Sequence, residues 1–312
     1  MLSVLIATHN GAATLPRVLD AYCRLAAPAG GWELIVVDNA SGDASGAIAA
    51  GYAGRLPLTC LYEAQRGKNA ALNRAVPHAR GDLLVFSDDD AAPEADWLRQ
   101  LERCAAAHPD YAVFGGRILP DWEVAPAEWI LRLAPLGQTY AISPPTLADG
   151  PVHPGLVWGA NMALRRAIFD AGHRFDVSIG PNGANYAMGS ETEFNLRLDK
   201  AGFHSWFCPA ARVAHRIRAH QLEAGFILAR ALRFGRGMFR QGAPQPSGAP
   251  MALGVPRWML RKFLDEACKA LLATLAGDAD RRFLARWELH YLTGFFREAQ
   301  LQRRRAGLGR KA

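Results

Sequence analysis

The chain is short of cysteine, modest in charge and without a long apolar run. Its 312 residues include five cysteines, Cys23, Cys60, Cys104, Cys208 and Cys268, and no CxxC pair. That spacing argues against a zinc module and against a disulfide framework, and predicts reduced, mostly buried thiols. No stretch reaches the roughly 18 uninterrupted apolar residues of a membrane-spanning helix. Met1 leads straight into Leu2-Ser3-Val4-Leu5-Ile6-Ala7 with no basic leader. The expectation is therefore a cytoplasmic protein, free or peripheral at the inner face of the membrane. GxGxxG and GxxxxGK[ST] are both missing, which counts against dinucleotide binding and against a P-loop. Only 21% of residues are charged and 50% are hydrophobic, which excludes global disorder.

Charge is unevenly spread. Residues 216–312 hold 19 Lys and Arg against 7 Asp and Glu, whereas residues 1–215 hold 17 against 22. A basic C-terminal third suits phosphorylated ligands, anionic lipid or nucleic acid, and equally a solvated helix face.

What is present first is a rhythm of short apolar runs and helical stretches. Leu2–Ala7, Glu33–Asp38, Leu58–Tyr62 and Asp82–Phe86 read as strands. Helices are expected through Leu15 and Tyr22, over Ala44–Ala53 and after Gly67. Continuously apolar strands alternating with helices predict an α/β fold with a mostly parallel, Rossmann-like sheet covered on both faces. Ligands bind such sheets at the carboxyl ends of the strands, where this chain places Thr8-His9-Asn10, Asp38 and Asp88-Asp89-Asp90. From Val113 the tryptophans and prolines predict a loop-rich stretch, and order returns at Val157–Leu164. A Gly- and Asn-rich segment, 180–189, precedes a helix over Glu191–Ala201. Two short strands follow, Trp206-Phe207 and Val213–His215. Helices then run to Arg303-Arg304-Arg305, broken over Gln241–Pro250.

Three consecutive carboxylates closing an apolar strand repel one another. A hard divalent ion resolves the repulsion, taking carboxylate and phosphate oxygens together. A solvated acidic turn before the next helix is the alternative. Asp38-Asn39 suits ribose or a base edge, or a plain turn. Arg66-Gly67-Lys68-Asn69 suits a diphosphate at a helix N-terminus, or an exposed cationic turn. Glu191, in the first turn of a helix, suits either a general base or helix capping. His215 at a strand end is a structural histidine or a metal ligand.

In this order the segments resemble the family 2 glycosyltransferases. Val4 to Asn10 is similar to that family's opening strand, Glu33 to Asp43 to its Val-Val-Asp-Asp-Gly-Ser-x-Asp segment, and Gly67 to Asn73 to its Gly-x-x-x-Ala-x-Asn helix. Asp88-Asp89-Asp90 resembles the Asp-x-Asp motif and Gly159 to Ala163 the Gly-x-Asn-Met-Ala turn. Gly189 to Phe194 resembles Gly-Glu-Asp-x-Glu-Leu, and Pro209 to His215 the Pro-x-Ala-x-Val-x-His ending. The resemblance covers about residues 2–215. It implies a GT-A domain over 1–215, with a nucleotide-binding half of about 1–115 and an acceptor half of about 116–215, and a basic helical extension over 216–312.

The resemblance also implies roles. Thr8, Asn10, Asp38, Lys68, Asn69, Asp88, Asp89 and Asn161 would bind the donor, and Asp90 and His215 would hold Mn²⁺ or Mg²⁺. Glu191 would be the base of an inverting transfer from a nucleotide-sugar to a glycan or lipid-linked acceptor. Ser190-Glu191 stands where Glu-Asp is usual, and Asn39 where a second Asp is usual. No nucleic-acid partner is implied, and oligomeric state is left open. Two rivals stand beside this reading. A sugar nucleotidyltransferase carries a Gly-rich basic N-terminal loop, where this chain has Thr8-His9-Asn10-Gly11-Ala12-Ala13. A catalytically silent nucleotide-sugar-binding paralogue is countered by the carboxylates present. Arg230, Arg233, Arg236 and Arg240, interleaved with Phe226, Leu232, Phe234, Met238 and Phe239, suit a helix on anionic lipid or a domain-packing helix with a solvated basic side.

Overall fold

The structure, a computed structural model, describes residues 1–183, 186–242, 250–252 and 254–308. The chain divides into two compact units. The first comprises Met1–Asp121, Tyr140–Ala184 and Ser190–Ile217; the second comprises Trp122–Thr139, Asn185–Gly189 and Arg218–Ala312.

In chain order the elements are β1 (Leu2–Thr8), α1 (Leu15–Tyr22), β2 (Trp32–Asp38), α2 (Ser45–Ala50), β3 (Leu58–Tyr62), α3 (Lys68–Ala75), β4 (Leu83–Asp88), β5 (Ala91–Pro93), α4 (Trp97–Ala107) and β6 (Val113–Trp122). Then come α5 (Glu128–Leu133), α6 (Leu136–Tyr140), β7 (Gly150–Pro151), β8 (Met162–Arg165), α7 (Arg166–Asp170), α8 (Ser190–Lys200) and β9 (Ser205–Ile217). The rest is α9 (Ala224–Arg240), a small hairpin of β10 (Met251–Ala252) and β11 (Val255–Pro256), α10 (Arg257–Leu275) and α11 (Ala279–Leu308).

The first unit is built on one sheet, ordered β3-β2-β1-β4-β8-β6-β9-β5, with β7 on β9. β1, β2, β3 and β4 are parallel, and β8 joins β4 antiparallel. β1, β2 and β4 are apolar on both faces because both faces are covered. Val4, Ile6 and Val36 pack into one buried cluster with α1 and α4. Leu5, Ile35 and Val37 pack into another with α3 and α8. Register sets Thr8 beside Asp38 and Ala7 beside Asp88, so the polar clusters seen in the sequence share one edge of the sheet.

Three local expectations fail here for physical reasons. β6 is a ten-residue strand, not loop. Gly115-Gly116 and Pro120 mimic a turn, but the backbone at Gly116 must pass the Asn161 amide, and a Cβ there would stand 2.2 Å from Asn161 Nδ2. β9 is one strand of 13 residues rather than two short ones, because Pro209 interrupts the apolar pattern without ending the pairing. The cysteines were also misread. Cys104 of α4 and Cys208 of β9 form a disulfide across 104 residues of chain, and Cys60 and Cys268 are exposed. The two partners are far apart in sequence, so spacing gave no sign of the bond.

In the second unit, Val255, Met259, Leu292, Phe295 and Ala299 form a buried cluster with Met238 and Phe239 against it. α5 is fastened to α11 by Trp129 on Phe283, ring centroids 4.8 Å apart, and by an Arg132–Asp280 ion pair. The arginines of α9 are engaged internally. Arg236 and Arg240 are paired with the fully buried Glu298 at 2.8 and 2.6 Å. Arg233 lies over the Tyr186 ring, and Arg230 donates to the Tyr186 hydroxyl. Of the two readings of α9, a lipid-facing helix and a domain-packing helix, these contacts favour packing for Arg236 and Arg240. The break expected over Gln241–Pro250 and the Gly/Asn-rich segment 180–189 fall partly outside the described residues, as does the side chain of Arg305.

Candidate active site

The centre of the site is an ion triad. Lys68, the first residue of α3, places Nζ 2.5 Å from Asp88 Oδ1 and 2.7 Å from Glu191 Oε1. Asp88 ends β4 and Glu191 opens α8, so the lysine joins a strand end to a helix start 123 residues away. Ser190 donates its hydroxyl to Glu191 Oε2 at 2.7 Å. Burial pushes the Glu191 carboxyl up, but the Lys68 charge and these hydrogen bonds win and hold it at about 2. Lys68, although desolvated, is shifted upward by Asp88 and Glu191 and stays charged.

The three aspartates diverge: Asp88 ends β4, and Asp89 and Asp90 lie in the turn before β5. Asp88 meets Lys68, while Asp89 accepts the Thr8 hydroxyl at 2.5 Å. Asp90 Oδ1 lies 3.3 Å from His215 Nε2. Burial first, and then the neighbouring Asp90 charge, push the Asp89 carboxyl up to about 7. Burial also raises Asp88, against the pull of Lys68. The His215 ring is oriented by the Tyr140 carbonyl, 2.7 Å from Nδ1. A carbonyl only accepts, so Nδ1 carries the hydrogen and Nε2 faces Asp90. Burial disfavours the imidazolium, but Asp90 outweighs it and His215 is shifted upward.

Four carboxylates thus stand against one lysine and one imidazole. Among the described residues no group of three or more His, Cys, Asp and Glu side chains forms a ready-made metal cage. Asp90 and His215 face each other, and two such side chains could hold a hard cation only with phosphate oxygens and water in its remaining positions.

The other expected residues are held by contacts of their own. Asn161 is fully buried: Trp97 Nε1 donates to its Oδ1 at 2.9 Å, and its Nδ2 donates to the Arg117 and Ala211 carbonyls. Its side chain therefore ties β6, β9 and α4 together. Asn69 is buried, donating to the Asp176 and Ile179 carbonyls, and its Oδ1 has no partner among the described residues. Asp38 accepts the Ser41 amide, and Asn10, at a positive φ of 54°, accepts the Gly42 amide. Asn39 is a brace: it donates to the Glu63 and Gln65 carbonyls and accepts the Gly67 amide at 2.7 Å, holding the turn that presents Lys68.

Gly159 was visible only as part of a motif. A Cβ at Gly159 would fall 2.3 Å from Glu191 Oε1 and 2.7 Å from its Cδ, so the missing side chain is the space the carboxylate occupies. Gly159→Ala is expected to displace Glu191 and cut turnover at least tenfold while leaving thermal stability within about 1 kcal/mol. Steady-state kinetics beside a melting curve test this, and unchanged kcat would sink it.

With this geometry in hand, known proteins give a consistent picture. The family model described as Glycosyl transferase family 2 matches residues 3–172. The chain is 33% identical to glycosyltransferase AglE of Haloferax volcanii over 269 residues, 84% of this chain and 81% of that protein. It is 24% identical over 182 residues to the glucosyl-dolichyl phosphate glucuronosyltransferase of the same organism, spanning about half of that relative, 55%, and 56% of this chain. Among solved structures, it superposes on mannosyltransferase PcManGT from Pyrobaculum calidifontis, in complex with GDP-Man and Mn²⁺. The TM-score is 0.64 at 20% identity, over 95% of this chain and 86% of that one. For TarS 1–349 of S. aureus in complex with UDP the TM-score is 0.53 at 12% identity, over 98% and 91%. At these identities the structural likeness shows the fold, which is GT-A.

Proposed function

The chain belongs to the family 2 glycosyltransferases, and from that premise we propose that it is an inverting, metal-assisted enzyme. It moves a sugar from a nucleotide-sugar donor to a hydroxyl of a glycan or lipid-linked acceptor. The observation that carries this reading is Lys68, held between Asp88 and Glu191 beside the Asp90–His215 pair. A cation-demanding carboxylate cluster and a candidate base share one lysine.

The donor's nucleoside lies along the ends of β1 and β2, near Thr8, Asn10 and Asp38. Its diphosphate meets Lys68 and the α3 N-terminus, with Asn69 in the first turn. Asp88 and Asp89 line the ribose and sugar side, and the backbone around Asn161 borders the sugar. Asp90 and His215 would hold Mn²⁺ or Mg²⁺, and the ion would supply Lewis-acid neutralisation of charge on the diphosphate.

The chain's own residues then do the following. The acceptor oxygen attacks the anomeric carbon as the bond to the diphosphate breaks, and Glu191 takes the hydroxyl proton. Tied to Lys68, Glu191 is a poor base. Lys68 turning toward the diphosphate removes its counter-ion, and burial then raises its basicity. Attack from the face opposite the leaving group gives inversion. Positioning and fixed charge supply most of the rate gain. We place this chemistry on the first unit, which holds Lys68, Asp88, Asp90, Glu191 and His215.

Thermal-shift titration with UDP, GDP, TDP and CDP, each with Mn²⁺ or with a chelator, tests the donor site. One nucleotide is expected to raise Tm only with metal, by an amount set by its Kd. Asp90→Asn and His215→Ala should remove the metal-dependent part. A shift indifferent to chelator and to both substitutions would overturn the metal assignment.

A further inference from the structure

We infer that α10 lies flat on an anionic lipid surface, with its leucine row in the headgroup–acyl boundary. This inference stands apart from the proposed donor chemistry and uses none of its residues.

The observation is an unpartnered apolar row on a helix whose other side is packed. Met259, Glu266 and Ala273 of α10 are buried. On the opposite arc Leu264, Leu271, Leu272 and Leu275 are 65%, 61%, 64% and 76% exposed, with Trp258 at 47% on the flank. Positions 264, 271 and 275 repeat at seven and four residues, which aligns them along one line of the helix. Scattered exposed leucines need no explanation, but a contiguous row of them does. No helix among the described residues is long and apolar enough to cross a membrane, so the row fits a helix lying on the surface rather than through it.

Charge selects the occupant. Running toward the α10 N-terminus, the same line continues as Arg257 and Arg261, both exposed. The next helix begins with exposed Arg281, Arg282 and Arg286, in a C-terminal third with 19 Lys and Arg against 7 Asp and Glu. A parallel pairing of this face with a second copy would bring Arg257 and Arg261 of the two copies together. The leucine row, about 17 Å long at 1.5 Å per residue, is also shorter than the three or four heptads a helical zipper needs. An anionic headgroup layer satisfies both features at once: acyl chains take the leucines and phosphates take the arginines. The α9 arginines do not contribute, since Glu298 and Tyr186 engage them.

The test is flotation of the full chain with neutral phosphatidylcholine vesicles and with vesicles containing phosphatidylglycerol. Binding is expected to the anionic vesicles only, and to fall with salt. Leu271→Gln with Leu275→Gln should weaken it at least tenfold, with the melting temperature and nucleotide binding unchanged because both side chains are exposed. Arg257→Gln with Arg261→Gln should weaken it about thirtyfold at low salt, in line with the attraction of two basic residues. Equal binding by wild type and the leucine variant would overturn the inference. So would a concentration-dependent dimer in size-exclusion chromatography that the leucine variant abolishes.

Discussion

Glu191→Gln is expected to lower the rate of sugar transfer by about 10²–10⁴ while donor affinity changes no more than a few-fold. Gln keeps the length and the contact with Ser190, but it cannot take a proton. Gly159 leaves room for either head group, because both are the same size. The contrasting variant is Lys68→Met, which removes the cation that holds Glu191 at about 2. In that variant only the Ser190 and backbone hydrogen bonds oppose burial, and the carboxyl rises. The acidic limb of the kcat/KM profile should therefore move to higher pH, and donor affinity should fall as the lysine's diphosphate contact is lost. Nucleotide binding by calorimetry, with kcat/KM across pH, separates the two substitutions. If Glu191→Gln retains wild-type turnover, the base lies elsewhere. If Lys68→Met leaves the acidic limb in place, the lysine does not control the base.

Why these residues were readable before any coordinates, while their contacts were not, follows from the sheet. A continuously apolar strand must end where it leaves the core, so Thr8, Asp38 and Asp88 marked the carboxyl ends of adjacent strands. The parallel register then brought them together. The order of motifs carried Glu191 and His215 as well. What stayed hidden was every relation across long stretches of chain. Lys68 read as one of several cations in a turn, and nothing local says that it reaches a helix 123 residues away. Asn161 read as a pocket residue, yet Trp97, Arg117 and Ala211 absorb its amide. β6 was lost because Gly115-Gly116 and Pro120 look like breakers when the packed Asn161 is out of view. The Cys104–Cys208 bond was lost for the same reason. In the helical unit, the count of arginines on α9 suggested a surface, because one buried glutamate, 62 residues from Arg236, is invisible to a charge tally.

That glutamate carries the largest stability effect we expect. Glu298 is fully buried and accepts from Arg236 at 2.9 Å, Arg240 at 2.6 Å and Gln302 at 2.8 Å. The guanidinium side chains are themselves only 11% and 13% exposed. Glu298→Ala removes the buried counter-ion that Arg236 and Arg240 share, which costs about 3–5 kcal/mol and lowers Tm on the order of 10 °C. Replacing all three residues with leucines removes the charges together and should recover most of that loss, since the desolvation cost disappears with the attraction. The pH dependence has a definite sign. Burial alone would raise the Glu298 carboxyl, but Gln302 and the two arginines hold it below its usual range. Its stabilisation is therefore present above an unfolded carboxylate value of about 4.3 and is lost as pH falls through the lower folded value. The gap between wild type and Glu298→Ala should be full at pH 7 and narrow on acidification. Calorimetric unfolding from pH 7 to pH 3 measures it directly. A gap that stays constant over that range would mean that the carboxylate's charge is not what holds α9 to α11.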